Sequence, residues 1–554
     1  MDVGEKFTSA FEKYNEGNLS QAETLLKEIA HVQPDNTEAL FLLAEISYRS
    51  GNRDAAVHYI RNALKHDPAK AEAYSNLGFI LQEKGQPDEA VQCYRKALQI
   101  NPHLLEAYLN LGNVFKEKGE FDEAIRCYQS ALQLNPDLPD AYSNLGLAFQ
   151  KAGRPDEAIE YCQKAVERNP RDANMYYNLG IAFQENGQLD EAVPCYQKAS
   201  RLAPDDAGIY NNLAFALQEN RRPYEAIPYY RKALQLDPAY ATAHWNLSLA
   251  LLLTGNFREG WREYEWRWGT QYLAASRRNF TQPLWDGSDI RGRTILLHAE
   301  QGFGDTIQFI RYVPLVAERG AGIVFECCRE LAALLRGVGG VGQVVVRGEE
   351  PPAFDVHCPL LSLPSAFDTT IETIPSIIPY VAADAVLTEK WRAKIKKDDA
   401  EIKIGFAWAG NPGFKQNRYR NIPLERFLPL TEVPGVAFYS LQKGGEAEEA
   451  KNPPAGMKLF DHTEDISDFS DTAAFIENLD LIISVDTVIA HLAGALGKPV
   501  WTLLPFSPEW RWLLDREDSP WYPTMRLFRQ TSFGDWQSVI ARAAAELRGM
   551  VRGI

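Results

Sequence analysis

Basic charge is scarce in this chain of 554 residues. Lysine and arginine number 58 against 74 aspartates and glutamates, a formal net charge of −16, and the pI lies near 5.2. That balance excludes nucleic acid and an anionic membrane surface as default partners. Cysteine is sparse as well: there are seven, scattered, with Cys93, Cys127 and Cys195 in one register. Such spacing builds neither a disulfide framework nor a metal-ligand cluster, and these thiols read as small helix-packing residues. No stretch of about 20 apolar residues exists to span a bilayer. Met1 to Gly17 lacks the apolar core of a secretory leader. The expectation is a reduced, cytoplasmic protein with no membrane span, no metal and no resident cofactor.

What the chain has in quantity is order at a fixed step. Prolines stand 34 residues apart at Pro34, Pro68, Pro102, Pro136, Pro170, Pro204 and Pro238. An alanine keeps the same step from Ala22 to Ala226, and a glycine from Gly17 to Gly255, interrupted only by Arg221. A period of this length marks stacked helical hairpins. The glycine ends the first helix, where a left-handed residue costs least. The alanine lets the paired helices approach, and the proline prevents the second helix from running on.

Units such as Ala73-Tyr74-Ser75-Asn76-Leu77-Gly78, closing at Pro102, resemble the tetratricopeptide repeat. About eight units fit residues 1–270, with divergent first and last copies as caps. An asparagine recurs in the first helix of six units, at Asn76, Asn110, Asn144, Asn178, Asn212 and Asn246. A carboxamide both donates and accepts, which matches the backbone of an extended peptide. The other reading is that these amides tie neighbouring helices together. The ladder resembles that of the eukaryotic O-GlcNAc transferases, whose repeats hold protein substrates by their backbone. By that resemblance the groove takes a polypeptide acceptor or protein partner.

The period stops in the tryptophan-rich segment Trp261 to Trp268, which is expected to cap the array and pack it on the next domain; stacking a sugar is its alternative role. After a linker at 271–292, short apolar runs alternate with helical patterns. Thr294 to His298, Gly322 to Cys327 and Gln343 to Val346 read as buried parallel strands, and so do Ile402 to Trp408, Val436 to Gln442, Leu479 to Val485 and Pro499 to Leu504. Two such series predict two Rossmann-like α/β domains, at 293–385 and 386–554, facing each other across a cleft. Ligands in such sheets bind at the carboxyl ends of the strands.

Four segments occupy those ends. His298 to Gln308 carries Gly302, Gly304 and Asp305 at a strand-to-helix turn, where an aspartate serves either as a helix cap or in the cleft. Trp408-Ala409-Gly410 precedes Gly413, Arg418 and Arg420, pairing free amides with planar donors suited to phosphate. Gln442 and Lys443 end a third strand. Ser484-Val485-Asp486-Thr487 leads into a helix with His491 one turn on, an anion site by its free amides and dipole.

Together these segments resemble the heptosyltransferase family (glycosyltransferase family 9) and its relatives with the two-domain GT-B fold. The resemblance runs from about Thr294 to Leu514 and is clearest from Ser484 to Pro499. It implies Asp305 as the base, since the family's Gly-Asp pair after the first strand matches Gly304-Asp305. It also implies a nucleotide-sugar donor held by Asp486, Thr487 and His491, with Arg420 in place of the family's lysine. Trp408, Gly410, Gln442 and Lys443 complete the donor side. The activity expected is inverting, metal-independent sugar transfer to a hydroxyl, on Ser or Thr of a protein held by the repeats. Two alternatives stay open: transfer to a glycan or lipid-linked sugar with the repeats used for docking, and a non-catalytic scaffold with a degenerate transferase fold.

Overall fold

A computed structural model describes residues 2–271, 273–395, 401–410 and 420–552. Between Val3 and Tyr264, sixteen α-helices pair into eight hairpins, each a helix of 13 residues followed by one of 14, until the last, Phe257–Tyr264, shortens to 8. The periodic glycines end the first helix of seven hairpins at φ 73–84°. Arg221, which interrupts the series, adopts the same left-handed conformation at φ 56°. Its guanidinium reaches Asp515 Oδ1 at 2.7 Å. Gly119→Ala is expected to destabilise the array by about 1 kcal/mol: a left-handed penalty of about 1–2 kcal/mol, less about 0.4–1 kcal/mol of unfolded-state entropy. A urea titration reads this as a lower midpoint at unchanged slope.

The periodic alanines are fully buried where paired helices cross. Tyr94, Tyr128 and Tyr196 lie against the partner helix at its glycines: a Cβ on Gly78, Gly112 or Gly180 would come within 2.9, 2.7 or 2.8 Å of the ring. The tyrosine hydroxyls donate to carboxamides of that helix, as Tyr128 does to Asn113 Oδ1 at 2.7 Å and Tyr196 to Gln184 Oε1 at 2.9 Å. All seven cysteines are free thiols, and burial pushes Cys93, Cys127 and Cys195 up to about 11. Thiols raised in this way are poor nucleophiles, in keeping with a packing role.

The chain divides into two compact units, Met1–Asp205 and Asp206–Ile554. The first holds six hairpins. The second holds the last two together with two parallel sheets. One sheet comprises β1 (Thr294–His298), β2 (Gly322–Cys327), β3 (Gln343–Val346) and β4 (Val356–Pro359), in the order β3-β2-β1-β4. The other comprises β5 (Ile402–Ala407), β6 (Val436–Ser440), β7 (Leu459–Phe460), β8 (Leu481–Val485), β9 (Val500–Leu504) and β10 (Met525–Arg529), in the order β10-β9-β8-β5-β6-β7. All pairs are parallel. Counted within its own sheet, the second order is 6-5-4-1-2-3, the doubly wound arrangement with its switch point between β5 and β8. The first sheet repeats the inner part of that order, with its switch point between β1 and β4.

β1, β2 and β3 fall on the runs read from the sequence. β4, β7 and β10 were not read there, because β7 has two residues and β10, Met-Arg-Leu-Phe-Arg, alternates like a half-buried edge. Two expected strands end sooner than their apolar runs: β5 at Ala407 and β6 at Ser440. Gln442 is the cause, since its Oε1 accepts the amides of Trp408 and Ala409 at 3.1 and 2.9 Å and turns the chain. Trp261 lies in a core shared by the last repeats and both sheets. Its ring meets Phe309 and Trp510 edge-on at 5.9 and 5.2 Å. Trp266 is different: 39% exposed, it stacks on His244 at 3.9 Å and 4°.

Candidate functional site

Each switch point supplies one wall. After β1 the chain turns at Gly302 into the helix Phe303–Phe309. Asp305, in its first turn, accepts the Gly302 amide at 2.9 Å through Oδ2. After β8, Thr487 caps the helix Val488–Ala495: its hydroxyl accepts the Ile489 amide at 3.3 Å and shares a hydrogen bond with Ser484 Oγ at 3.0 Å. The two helices touch at a position only glycine allows, since a Cβ on Gly304 would stand 2.8 Å from His491 Cδ2. Asp305 and His491, 186 positions apart, are thereby neighbours across the two sheets.

His491 is buried, with Nδ1 on the Tyr522 hydroxyl at 2.9 Å and its ring stacked on Trp512 at 5.4 Å. Burial holds it well below the usual imidazole range, and the charges of Arg511, Arg311 and Arg420 reinforce that. Both effects favour the neutral imidazole. Asp486 is 4% exposed; burial pushes its carboxyl up while the guanidinium of Arg420, 3.7 Å away, opposes the shift. The residues after Arg420 are tied to the end of β5: the Ile422 amide donates to Trp408 O at 3.0 Å, and Asn421 Oδ1 accepts the Gly410 amide at 2.9 Å.

Other residues singled out in the sequence are spent on the protein itself. Trp408 lies in the core beneath the sheet at 1% exposure. Gln442 uses its carbonyl on the β5 turn and donates through Nε2 to Lys443 O at 3.0 Å. Lys443 Nζ donates to Ile466 O at 2.6 Å. Gly413 and Arg418 lie outside the described residues.

The residue that sequence reasoning passed over is Arg511, in the short 3-10 turn Trp510–Trp512 after β9. Its guanidinium donates to Asp305 Oδ1, to Glu509 Oε1 and, at 2.5 Å, to Gln308 Oε1. Burial pushes Asp305 up, and Arg511 opposes that. The turn is itself clamped: Arg529 donates to the carbonyls of Trp512 (2.5 Å), Leu513 (3.1 Å) and Arg516 (2.7 Å). The segment just after it has non-glycine residues at positive φ, Leu513 at 54° and Asp515 at 52°. Strain of this kind persists only where the surroundings over-determine the backbone. The available signal was an arginine between two tryptophans, a cation in an apolar run that has to find a carboxylate.

A second buried pair supports the loop that carries Asp305. Arg267, 0% exposed, donates to Glu300 Oε1 and Oε2 at 3.1 Å and to Ser362 Oγ at 2.7 Å. Glu300 Oε1 also accepts the Leu361 amide at 3.2 Å. The pair therefore fastens the β1 and β4 loops, at the first switch point, to the end of the repeats. Gln301 Nε2 donates to the Tyr264 hydroxyl at 3.1 Å across the same seam.

The asparagine ladder is partly committed. In the first unit, Asn178 Nδ2 donates to Ser143 Oγ at 2.8 Å, and Asn144 Oδ1 accepts from Lys116 Nζ at 2.8 Å. In the second, Asn246 Nδ2 donates to Asn211 Oδ1 at 3.1 Å, and Asn212 Oδ1 accepts from Asn211. Asn76 is exposed and Asn110 half-buried. Helix-tying is thus one function of these amides, and each bond named occupies one end of a carboxamide.

A family model described as "Cilia and flagella-associated protein 70 C-terminal domain" matches residues 4–249. Protein FlbA of Caulobacter vibrioides (strain ATCC 19089 / CIP 103742 / CB 15) is 27% identical over 321 residues, 54% of this chain and 53% of the relative. The chain thus spans about half the length of that curated relative. Among solved structures, YrrB, described as a TPR protein with an unusual peptide-binding site, is similar at 26% identity and a TM-score of 0.30, over 33% of this chain and 95% of its own. The C-terminal part of a TPR repeat-containing protein from Cytophaga hutchinsonii is similar at 23% identity and a TM-score of 0.38, over 44% of this chain and 99% of its own. The N-terminal 250 or so residues are a tetratricopeptide-repeat solenoid, a surface for a protein partner. No helix among the described residues is long and apolar enough to cross a membrane.

Proposed function

We propose that the chain is a glycosyltransferase of GT-B type, with two Rossmann-like domains. It moves a sugar from a nucleotide-sugar donor to a hydroxyl of a polypeptide held by the repeats. One observation carries the reading: the helix after the first strand of one sheet, with Asp305 in its first turn, meets at Gly304 the ring of His491, one turn past Asp486 and Thr487 at the switch point of the other. Displacement at an anomeric carbon needs a base for the attacking hydroxyl and donors for the departing diphosphate. Asp305 is the base. The amides at the start of the Val488–Ala495 helix, Arg420 and Arg511 face the leaving group. Asp486 takes sugar or ribose hydroxyls, and neutral His491 donates or accepts without adding charge.

A protein acceptor is favoured because Asn212 and Asn246 belong to the same compact unit as the site, and the last repeat meets the Asp305 loop at Tyr264–Gln301. The committed amides at Asn178 and Asn246 favour a second reading, in which the repeats only dock a partner and the acceptor is a glycan. The test is a thermal-shift screen against UDP-, GDP-, ADP-, dTDP- and CMP-sugars. A ligand at a hundredfold excess over its dissociation constant adds about 2.7 kcal/mol of stability. One donor should raise the melting temperature of the wild type and not of Asp486→Ala. With that donor in hand, Asn212→Ala/Asn246→Ala loses transfer to protein under the first reading and keeps transfer under the second. A folded protein that no donor shifts sinks the enzyme reading and leaves a scaffold.

A further inference from the structure

Resting on the nucleotide-sugar reading above, we propose that Arg511 is a donor-operated latch on the base, paired with Asp305 while the site is empty and handed to the diphosphate when donor binds. The geometry of the pair points to this. Asp305 has two carboxylate oxygens and both are occupied: Oδ2 by the Gly302 amide at 2.9 Å and Oδ1 by Arg511. Each oxygen keeps a second lone pair, but the Arg511 guanidinium on Oδ1 favours the ionised carboxylate, so Asp305 takes the proton of an acceptor hydroxyl poorly until Arg511 withdraws. Asp305 remains one-fifth exposed, so the position that opens is reachable from the cleft.

Arg511 is built to change partners without moving far. Glu509 Oε1 and Gln308 Oε1 hold two other faces of the guanidinium, which keep it in place when Asp305 lets go. Arg529 anchors the turn behind it through three carbonyls. The same Gln308 keeps its Nε2 buried with no hydrogen-bond partner. That is a second donor beside the guanidinium, and a phosphate oxygen would satisfy both. The Nη2 donors released from Asp305, with that amide beside them, match neighbouring phosphate oxygens while Nη1 and Nε keep Glu509 and Gln308.

The step balances. Diphosphate oxygens take the Arg511 donors, and Asp305 Oδ1 is released. The acceptor hydroxyl gives its proton to Oδ1 as its oxygen bonds to the anomeric carbon. The bond from that carbon to the diphosphate oxygen breaks with its electron pair, and Arg511 meets the charge that appears there. The consequence is ordered binding, donor before acceptor, which keeps the base masked until there is a sugar to transfer.

The test uses UDP, GDP, ADP and dTDP as probes in calorimetric titrations of the full chain. Asp305→Asn removes the competitor for Arg511 and should tighten the nucleotide that binds by about tenfold. Arg511→Gln should weaken it by at least about tenfold. The double variant Asp305→Asn/Arg511→Gln should bind no tighter than Arg511→Gln, because the gain acts through Arg511. If Arg511→Gln does not fold, Arg511→Lys replaces it, with the same directions expected at smaller size. An Asp305→Asn affinity equal to or below that of wild type overturns the latch and leaves the nucleotide site standing. A panel in which neither wild type nor Asp305→Asn binds any nucleotide overturns the site reading and the latch with it.

Discussion

Asp305→Asn is expected to lower turnover of the proposed sugar transfer by about 10²–10⁴-fold, the usual worth of a positioned general base. Asparagine matches aspartate in volume and can still accept the Gly302 amide, so the loop after β1 keeps its shape. What it cannot do is take a proton. The loss should therefore fall on kcat, while donor affinity moves the other way through Arg511. The pH profile supplies a separate check. A base works deprotonated, so the wild-type rate falls on the acid side, and burial pushes that limb above the ordinary aspartate value of 3.8. In Asp305→Asn the limb disappears with the activity. Glu509 is the rival carboxylate, 41% exposed and on the same arginine. A turnover for Asp305→Asn within tenfold of wild type, with Glu509→Gln the slower enzyme, would assign the base to Glu509 instead.

Arg267→Ala is expected to destabilise the second unit by about 3–5 kcal/mol near pH 8, the cost of stripping one partner from a buried ion pair. The size depends on pH through Glu300. Burial raises its carboxyl from the ordinary 4.5 to about 7 even with Arg267 beside it. Between those values the folded protein holds a proton that the unfolded chain has released. Stability owed to this group is therefore full below 4.5 and declines as pH rises through about 7. The slope is worth on the order of 3 kcal/mol across that window at about 1.4 kcal/mol per unit. Without Arg267 the carboxylate takes up a proton more readily, so the damage of Arg267→Ala shrinks toward pH 5. Urea titrations of wild type, Arg267→Ala and Glu300→Gln at pH 5, 6.5 and 8 check this. Glu300→Gln should flatten the slope relative to wild type, and parallel slopes in those two proteins would refute the assignment.

The two variants bear on different parts of the second unit. In the proposed reaction Asp305 acts at the reacting atoms. Arg267 acts through the loop, by tying Glu300 and the Leu361 amide to the last turn of the repeats. A melt after Arg267→Ala that loses the sheets while the first six hairpins persist is expected from the division of the chain at Asp205, since stacked repeats owe their stability to neighbours.

The repeat array was legible in the sequence alone, because proline, glycine and alanine each do one local job and recur in phase. The left-handed glycines and the buried alanines need only the hairpin that contains them. The strands were legible for a related reason: a parallel strand covered on both faces is a continuous apolar run, as in Leu481–Val485. Arg221 was legible as an exception but not as a contact, since Asp515 lies 294 residues away. The site was half legible. Asp305, Asp486, Thr487 and His491 sit at strand-to-helix turns, where the local pattern announces free amides. Their juxtaposition came from the crossing of two helices at Gly304, and Arg511 from a turn after β9 whose backbone is held by Arg529. Trp408 and Gln442 went the other way, into the core and onto the chain's own amides. Sequence determines what a residue can donate, accept or fill. Which partner it meets is settled by strand order and helix packing, where distant segments compete for the same few positions and burial makes an unpaired charge too costly to leave.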